Sequence, residues 1–189
     1  LYEHFREIAE ATPLPNILYN VPSRTVTNID ASTVADLSQI DNIIGIKEAS
    51  ADLDQIAEII RTAHPDFIVY SGNDADTLPM MALGGVGVIS VASHVISGDI
   101  RRMIDAFFDG DLETARRLHL QSLPLFRALF PAGWSNPIAV KAALNIGGFP
   151  IGAPRLPLVE FPADMTRDLA SVLEGYQLDA FVRAPAVIN

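Results

Sequence analysis

Four short β-type runs, Asn16 to Val21 (NILYNV), Ile43 to Ala49 (IIGIKEA), Phe67 to Ser71 (FIVYS) and Gly87 to Ser93 (GVISVAS), start about 25, 25 and 20 residues apart, and helical pattern fills the gaps between them. Each run is apolar on both parities rather than alternating, the pattern of strands covered on both faces in a parallel sheet. A repeated strand–helix order of this kind closes into a (βα)8 barrel or spreads as an open doubly wound sheet. No glycine-rich phosphate loop follows any of the strands, which removes the usual reason to prefer the open sheet. A complete barrel needs eight strands and about 250 residues. This chain has 189 residues, shows four strands and starts on a helix, so it reads either as a small four-stranded open sheet or as half of a barrel whose earlier strands are not in this chain.

Period and punctuation place the helices. Leu1, Phe5, Ile8 and Ala9 share a face, as do Leu53, Ile56, Ile59 and Ile60 before Pro65. A capped helix is predicted between Asp30 and Ser38. From Ser97 the pattern is wholly helical: Ser97 to Phe108, Asp111 to Phe130 with a kink or break at Pro124, Pro137 to Ile146, and Pro162 to Tyr176. On the half-barrel reading the organisation is half a barrel over residues 1–96, the last barrel helix and a helical extension over 97–177, and a poorly ordered tail over 178–189.

Composition narrows the chemistry. With 49% apolar residues, 19% charged residues and a net charge of −10, the chain can bury a core but offers no basic surface for nucleic acid or anionic lipid. The absence of cysteine removes disulfides, a thiol nucleophile and thiolate metal sites. His4, His64, His94 and His119 lie far apart without metal-ligand spacing, so no metal is expected. Asp74 and Asp76 read as helix caps. The longest stretch without charge, Thr77 to Gly98, is broken by Pro79 and three glycines and is not read as a membrane span. The N-terminus lacks the basic and apolar regions of a signal peptide, and a cytoplasmic location is expected.

Only two lysines occur, and Lys47 stands at the end of a run otherwise made of Ile and Gly. A lysine at the C-terminal end of an interior parallel strand projects into the mouth where barrel sites lie. It reads either as a stem reaching solvent or as an amine for imine formation with a ketone or aldehyde. The second role needs the neutral amine, to which desolvation drives a lysine whose ordinary pKa is about 10.4. Glu48, one residue on, points to the opposite face. Tyr19 ends the preceding strand and can meet Lys47, since neighbouring strands are about 4.8 Å apart. Its phenol could move protons for a carbinolamine and an imine. Arg24, on the following turn, suits a substrate carboxylate. Each of the two, taken alone, also reads as an ordinary solvated side chain.

The segments ILYNVPSRT, NIIGIKEAS, YSGNDADTLPMMALGGVGVISVAS and SNPIAVKAAL with RLPL resemble the dihydrodipicolinate synthase family, in order and with matching spacing. That family lies within the class I pyruvate-dependent aldolases, which include sialic acid lyase. The resemblance implies a (βα)8 barrel, here its second half with a C-terminal helical extension. It implies Lys47 as the Schiff-base lysine for pyruvate, Tyr19 as a proton relay and Arg24 as the anchor for the carboxylate of L-aspartate 4-semialdehyde. Gly72 and Ile89 match positions lining the pyruvate pocket, Ile89 through its main chain. No organic cofactor is implied, and the family is commonly a homotetramer. A sialic acid or keto-deoxy sugar acid lyase shares the lysine and tyrosine, but the PSRT turn is closer to the synthase. Two departures stand out. The first four strands, with the family's Thr-Thr pair, a tyrosine donated across a subunit contact and most of the lysine feedback site, are not in this chain, and Val26 stands where glycine is usual. A half-barrel leaves strand edges and an apolar sheet face in need of cover. The chain is thus expected to belong to a longer protein, to associate through the first and fourth strands, or to be a non-catalytic fragment.

Overall fold

In the computed structural model, residues 1–176 are described, so the tail expected over 178–189 lies outside the described residues. The chain divides into two units, Leu1–Ser90 and Val91–Asn189.

The first unit alternates as expected. Helix α1 (Tyr2–Glu10) leads into β1 (Asn16–Asn20), followed by the one-turn helix α2 (Pro22–Thr25), α3 (Ala31–Leu37), β2 (Ile43–Glu48) and α4 (Leu53–Thr62). Then come β3 (Ile68–Ser71), a 3₁₀ turn at Asp74–Asp76, α5 (Thr77–Leu83) and β4 (Gly87–Val88). All four strands are parallel and lie in sequence order, β1-β2-β3-β4. Sequence order with parallel pairing is what successive crossover helices produce.

The helices start where side chains can take up their free N–H groups. Asp30 caps α3 by accepting from the Thr33 N–H (2.9 Å), and Asp52 caps α4 by accepting from the Gln55 N–H (3.0 Å). Gly84 ends α5 with φ of 119°, a left-handed stop that a side chain would strain. The core lies on one face of the sheet. Leu18, Ile46 and Val69 stand side by side in the strand register and are packed with Val34 and Leu37 of α3, Ile56 and Ile59 of α4 and Met80 of α5. The other face carries Ile17 and Tyr19, both exposed.

The second unit is helical: α6 (Ser93–Phe108), α7 (Leu112–Leu129), α8 (Ile138–Ile146) and α9 (Ala163–Leu173). The expected start of α6 at Ser97 is where its regular part resumes. A first turn from Ser93 is joined to it across a break at Ile96 (φ −126°, ψ 45°). Correspondingly the fourth strand ends at Val88 rather than Ser93, although the Ile89 N–H still donates to the Ser71 carbonyl (2.9 Å). Met103, Ala115, Leu125, Leu129, Ala143 and Leu173 are among the buried side chains of the second unit.

Pro124 sits inside α7 and cannot donate to the helix ladder. At this point the Tyr176 hydroxyl enters the ladder. It donates to the Gln121 carbonyl (2.7 Å) and accepts from the Leu125 N–H (3.3 Å), the pair that an uninterrupted helix would join directly. Burial pushes the Tyr176 phenol up from its ordinary range. No described helix is long and apolar enough to cross a membrane.

Candidate active site

The site is built by strand register. Tyr19 of β1 pairs with Lys47 of β2, which pairs with Tyr70 of β3, which pairs with Gly87 of β4. Side chains alternate along each strand, so this row projects from the sheet face opposite the Leu18–Ile46–Val69 core row. It also lies at the C-terminal ends of the strands, the rim at which parallel α/β folds place their chemistry.

Lys47 Nζ lies over the Tyr19 ring, 4.3 Å from its centroid. An aromatic face attracts an ammonium group at this distance. Gly72, the residue after β3, backs the lysine: a Cβ there would come within 3.2 Å of Lys47 Cε and within 2.6 Å of the Ala49 methyl. Only a residue without a side chain leaves the lysine stem that room. Ile89 follows β4 and is held to the ladder through its N–H. Arg24 is carried by α2, one turn beyond the end of β1, and its side chain is exposed. Tyr19, Lys47 and Gly72 are thus in one cluster, with Ile89 and Arg24 on the elements that follow the outer strands.

Two expectations change. Lys47 is half-buried rather than desolvated, because the face onto which it projects is open: Tyr19 is 47% exposed and Ile89 42%. The aspartates after β3 are not simple caps. Asp76 occupies the N-cap of α5 without a side-chain cap bond and accepts instead from the Asn73 side-chain amide (2.8 Å). Asp74 is buried and accepts from the Ser90 hydroxyl, tying the loop after β3 to the residues after β4.

Sequence reasoning put Glu48 on the reverse face, and it lies there, but what it does there was missed. Its carboxylate is buried and accepts from the Asn20 amide (3.1 and 3.0 Å), the Ser50 N–H (2.7 Å) and the Gln55 amide (3.4 Å). Tyr70, in register with Lys47, was also missed, and the signal was available in its place at the end of the third strand. Val26 ends α2 with φ of 57°, a left-handed conformation rare for a β-branched residue. Among the described residues no group of three or more His, Asp or Glu is placed to hold a metal ion.

Parallel strands presenting a lysine, two tyrosines and a close-packed glycine along one rim define an α/β protein of the (βα)8-barrel class, of which these strands are four. Comparison with known proteins makes the assignment narrower. Residues 1–175 match the Dihydrodipicolinate synthetase family, and the chain belongs to that family. It is 54% identical over 179 residues to the 4-hydroxy-tetrahydrodipicolinate synthase of Dehalococcoides mccartyi strain CBDB1, covering 95% of this chain and 60% of that protein. A crystal structure of the dihydrodipicolinate synthase from Cyanidioschyzon merolae with lysine bound superposes with a TM-score of 0.88 at 47% identity, over 92% of this chain and 59% of that one. The chloride-inhibited dihydrodipicolinate synthase from Acinetobacter baumannii, solved with pyruvate, gives a TM-score of 0.87 at 34% identity, over 92% and 59% of the two chains. The chain spans about 60% of the length of these relatives.

Proposed function

We propose that this chain carries the imine-forming centre of a 4-hydroxy-tetrahydrodipicolinate synthase, a pyruvate-dependent lyase on the route to diaminopimelate and lysine. The Lys47 amine adds to the keto carbon of pyruvate, and loss of water from the carbinolamine leaves an imine. Removal of a methyl proton gives the enamine, whose carbon adds to the aldehyde of L-aspartate 4-semialdehyde. Tyr19 moves protons in these steps. Arg24 holds the carboxylate of the semialdehyde, for which its planar fork of donors is suited. Gly72 and the main chain of Ile89 line the place taken by pyruvate. The reading carries with it no organic cofactor, a cytoplasmic location and a homo-oligomer.

The observation that carries this reading is the juxtaposition of Lys47 and Tyr19 at one register position, with Nζ 4.3 Å from the ring centroid. The names of the relatives and the pyruvate complex of the Acinetobacter baumannii enzyme support it. The test is borohydride reduction in the presence of pyruvate, followed by intact mass and peptide mapping. One reduced adduct, pyruvate less water plus two hydrogens, is expected on Lys47 and not on Lys141. Replacing Arg24 by Ala is then expected to reduce condensation with the semialdehyde far more than imine trapping.

The half-exposure of Lys47 favours one other reading, a half-barrel that is non-catalytic by itself. A folded chain that gives no adduct supports it. The exposed Ile17, Tyr19 and Ile89, together with the outer strands β1 and β4, also support association with further protein at that face. Light scattering after size exclusion that returned a compact, stable monomer of these 189 residues would contradict association.

A further inference from the structure

Behind the reactive row lies a second row of opposite character. Asn20 and Glu48 each immediately follow a site residue, Tyr19 and Lys47, and each is 1% exposed. They are also paired in register, so the two strands are joined at this level. The Asn20 amide N–H donates to both Glu48 carboxylate oxygens and to Asn28 Oδ1 (2.8 Å), while Asn20 Oδ1 accepts from the Ile29 N–H (3.0 Å). In the main chain the Ala49 N–H donates to the Asn20 carbonyl (2.9 Å) and the Gly72 N–H to the Glu48 carbonyl (2.7 Å). The donors around Glu48 come from β1, from its own following loop and from α4, so three elements converge on one carboxylate. A buried carboxylate is expensive to keep unless fully hydrogen-bonded, and this one fixes where its donors must stand.

We propose that Asn20 and Glu48 are positioning residues: their buried amide–carboxylate pair, on the sheet face away from the chemistry, sets the register and pitch at which Tyr19 and Lys47 meet. This rests on the reading of Tyr19 and Lys47 as partners. It adds to that reading a pair of residues that touch no substrate. Because consecutive strand residues point to opposite faces, the pair acts only through the main chain of its neighbours. A small displacement of a reacting group can cost on the order of a hundredfold in rate.

The experiment compares the 189-residue chain with Glu48→Gln, Asn20→Asp and the exchanged double variant Asn20→Asp/Glu48→Gln. In Glu48→Gln a second amide N–H₂ faces a donor. In the exchange the amide and carboxylate trade strands, and the amides of Asn28 and Gln55 can turn over to follow. With ¹³C-labelled lysine side chains the spectrum contains only Lys47 and Lys141, and the ring current of Tyr19 displaces the Lys47 signal. That displacement is expected to shrink in Glu48→Gln and return in the exchanged variant. The rate of pyruvate trapping is expected to fall by on the order of tenfold to a hundredfold and to recover with it. An unmoved Lys47 signal in folded Glu48→Gln overturns the proposal. So does an exchanged variant that regains its melting temperature but not the signal. If the unaltered chain traps no pyruvate, the functional reading fails while the lysine spectrum still decides the positioning role. Should Glu48→Gln not fold, Glu48→Asp, which keeps the charge but shortens its reach, is read in the same way.

Discussion

Tyr19 and Lys47 occupy opposed positions on adjacent parallel strands, and the lysine nitrogen rests over the tyrosine ring, 4.3 Å from its centroid. The ring therefore acts as a shelf for the side chain, while proton transfer is the part left to the hydroxyl. These two functions separate in Tyr19→Phe, which keeps the shelf and removes the hydroxyl. Pyruvate is expected still to be trapped on Lys47. The condensation rate is expected to fall about 10²-fold or more with little change in KM, the range for loss of a proton-transferring group. Steady-state kinetics alongside borohydride trapping checks both halves.

Val26 holds a left-handed backbone at the end of α2 and is 91% exposed. A β-branched residue there is strained by about 1–2 kcal/mol, and its side chain gains little packing in return. Val26→Gly is expected to stabilise the protein by about 1 kcal/mol after allowing for the greater freedom of glycine in the unfolded chain. Urea unfolding is the measurement, and a lower midpoint would show that Val26 contributes more than its exposure suggests.

Asp30 couples a helix cap to pH. The Ser32 hydroxyl, and then the Thr33 N–H, hold its carboxyl down at about 2. A folded-state value below the unfolded value of about 3.9 means stability that is present above pH 4 and is lost as the pH falls from about 4 to about 2. Asp30→Ala is expected to lower stability by about 1 kcal/mol at pH 7. The difference between the two proteins should shrink toward pH 2, as measured by unfolding midpoints across that range.

Tyr176→Phe is expected to destabilise the helical unit by about 1–2 kcal/mol. It leaves the Gln121 carbonyl and the Leu125 N–H without the hydroxyl that joins them. Hydrogen exchange should quicken at Leu125 before it does in the first turns of α7.

Much of this arrangement was legible in the sequence for a physical reason. Strands buried on one face and lined with apolar side chains on the other show no alternation, and Ile43 to Ile46 could be read directly as such a strand. Asp30 announced its cap because its partners, Ser32 and Thr33, are local. Lys47 was conspicuous as the first charge after an unbroken stretch of Ile and Gly. What escaped was contact across distance. Asn20 and Glu48 are 28 residues apart, and nothing in the neighbours of either shows its partner, whereas together they satisfy one another and are buried. Tyr176 reaches Leu125 across 51 residues, and only the three-dimensional packing shows that a proline in one helix is answered by a tyrosine beyond another. The openness around Lys47 was hidden too, because burial belongs to whatever covers a side chain and not to the side chain itself.

The pairing of β1 with β2 shifts between Asn16 and Ile17, so that Ile17 lies opposite Gly45 and everything after it is offset by one. The extra residue, Ile44, belongs to β2, so the phase of β1 runs unbroken from Ile17 to Asn20. A slip of β1 by a single residue, by contrast, would turn Asn20 outward to the rim and drive Tyr19 among the helices, exchanging the two at a stroke. Substitution can therefore tune the reactive layer and the supporting layer separately, whereas a one-residue change in the pairing of β1 strikes both.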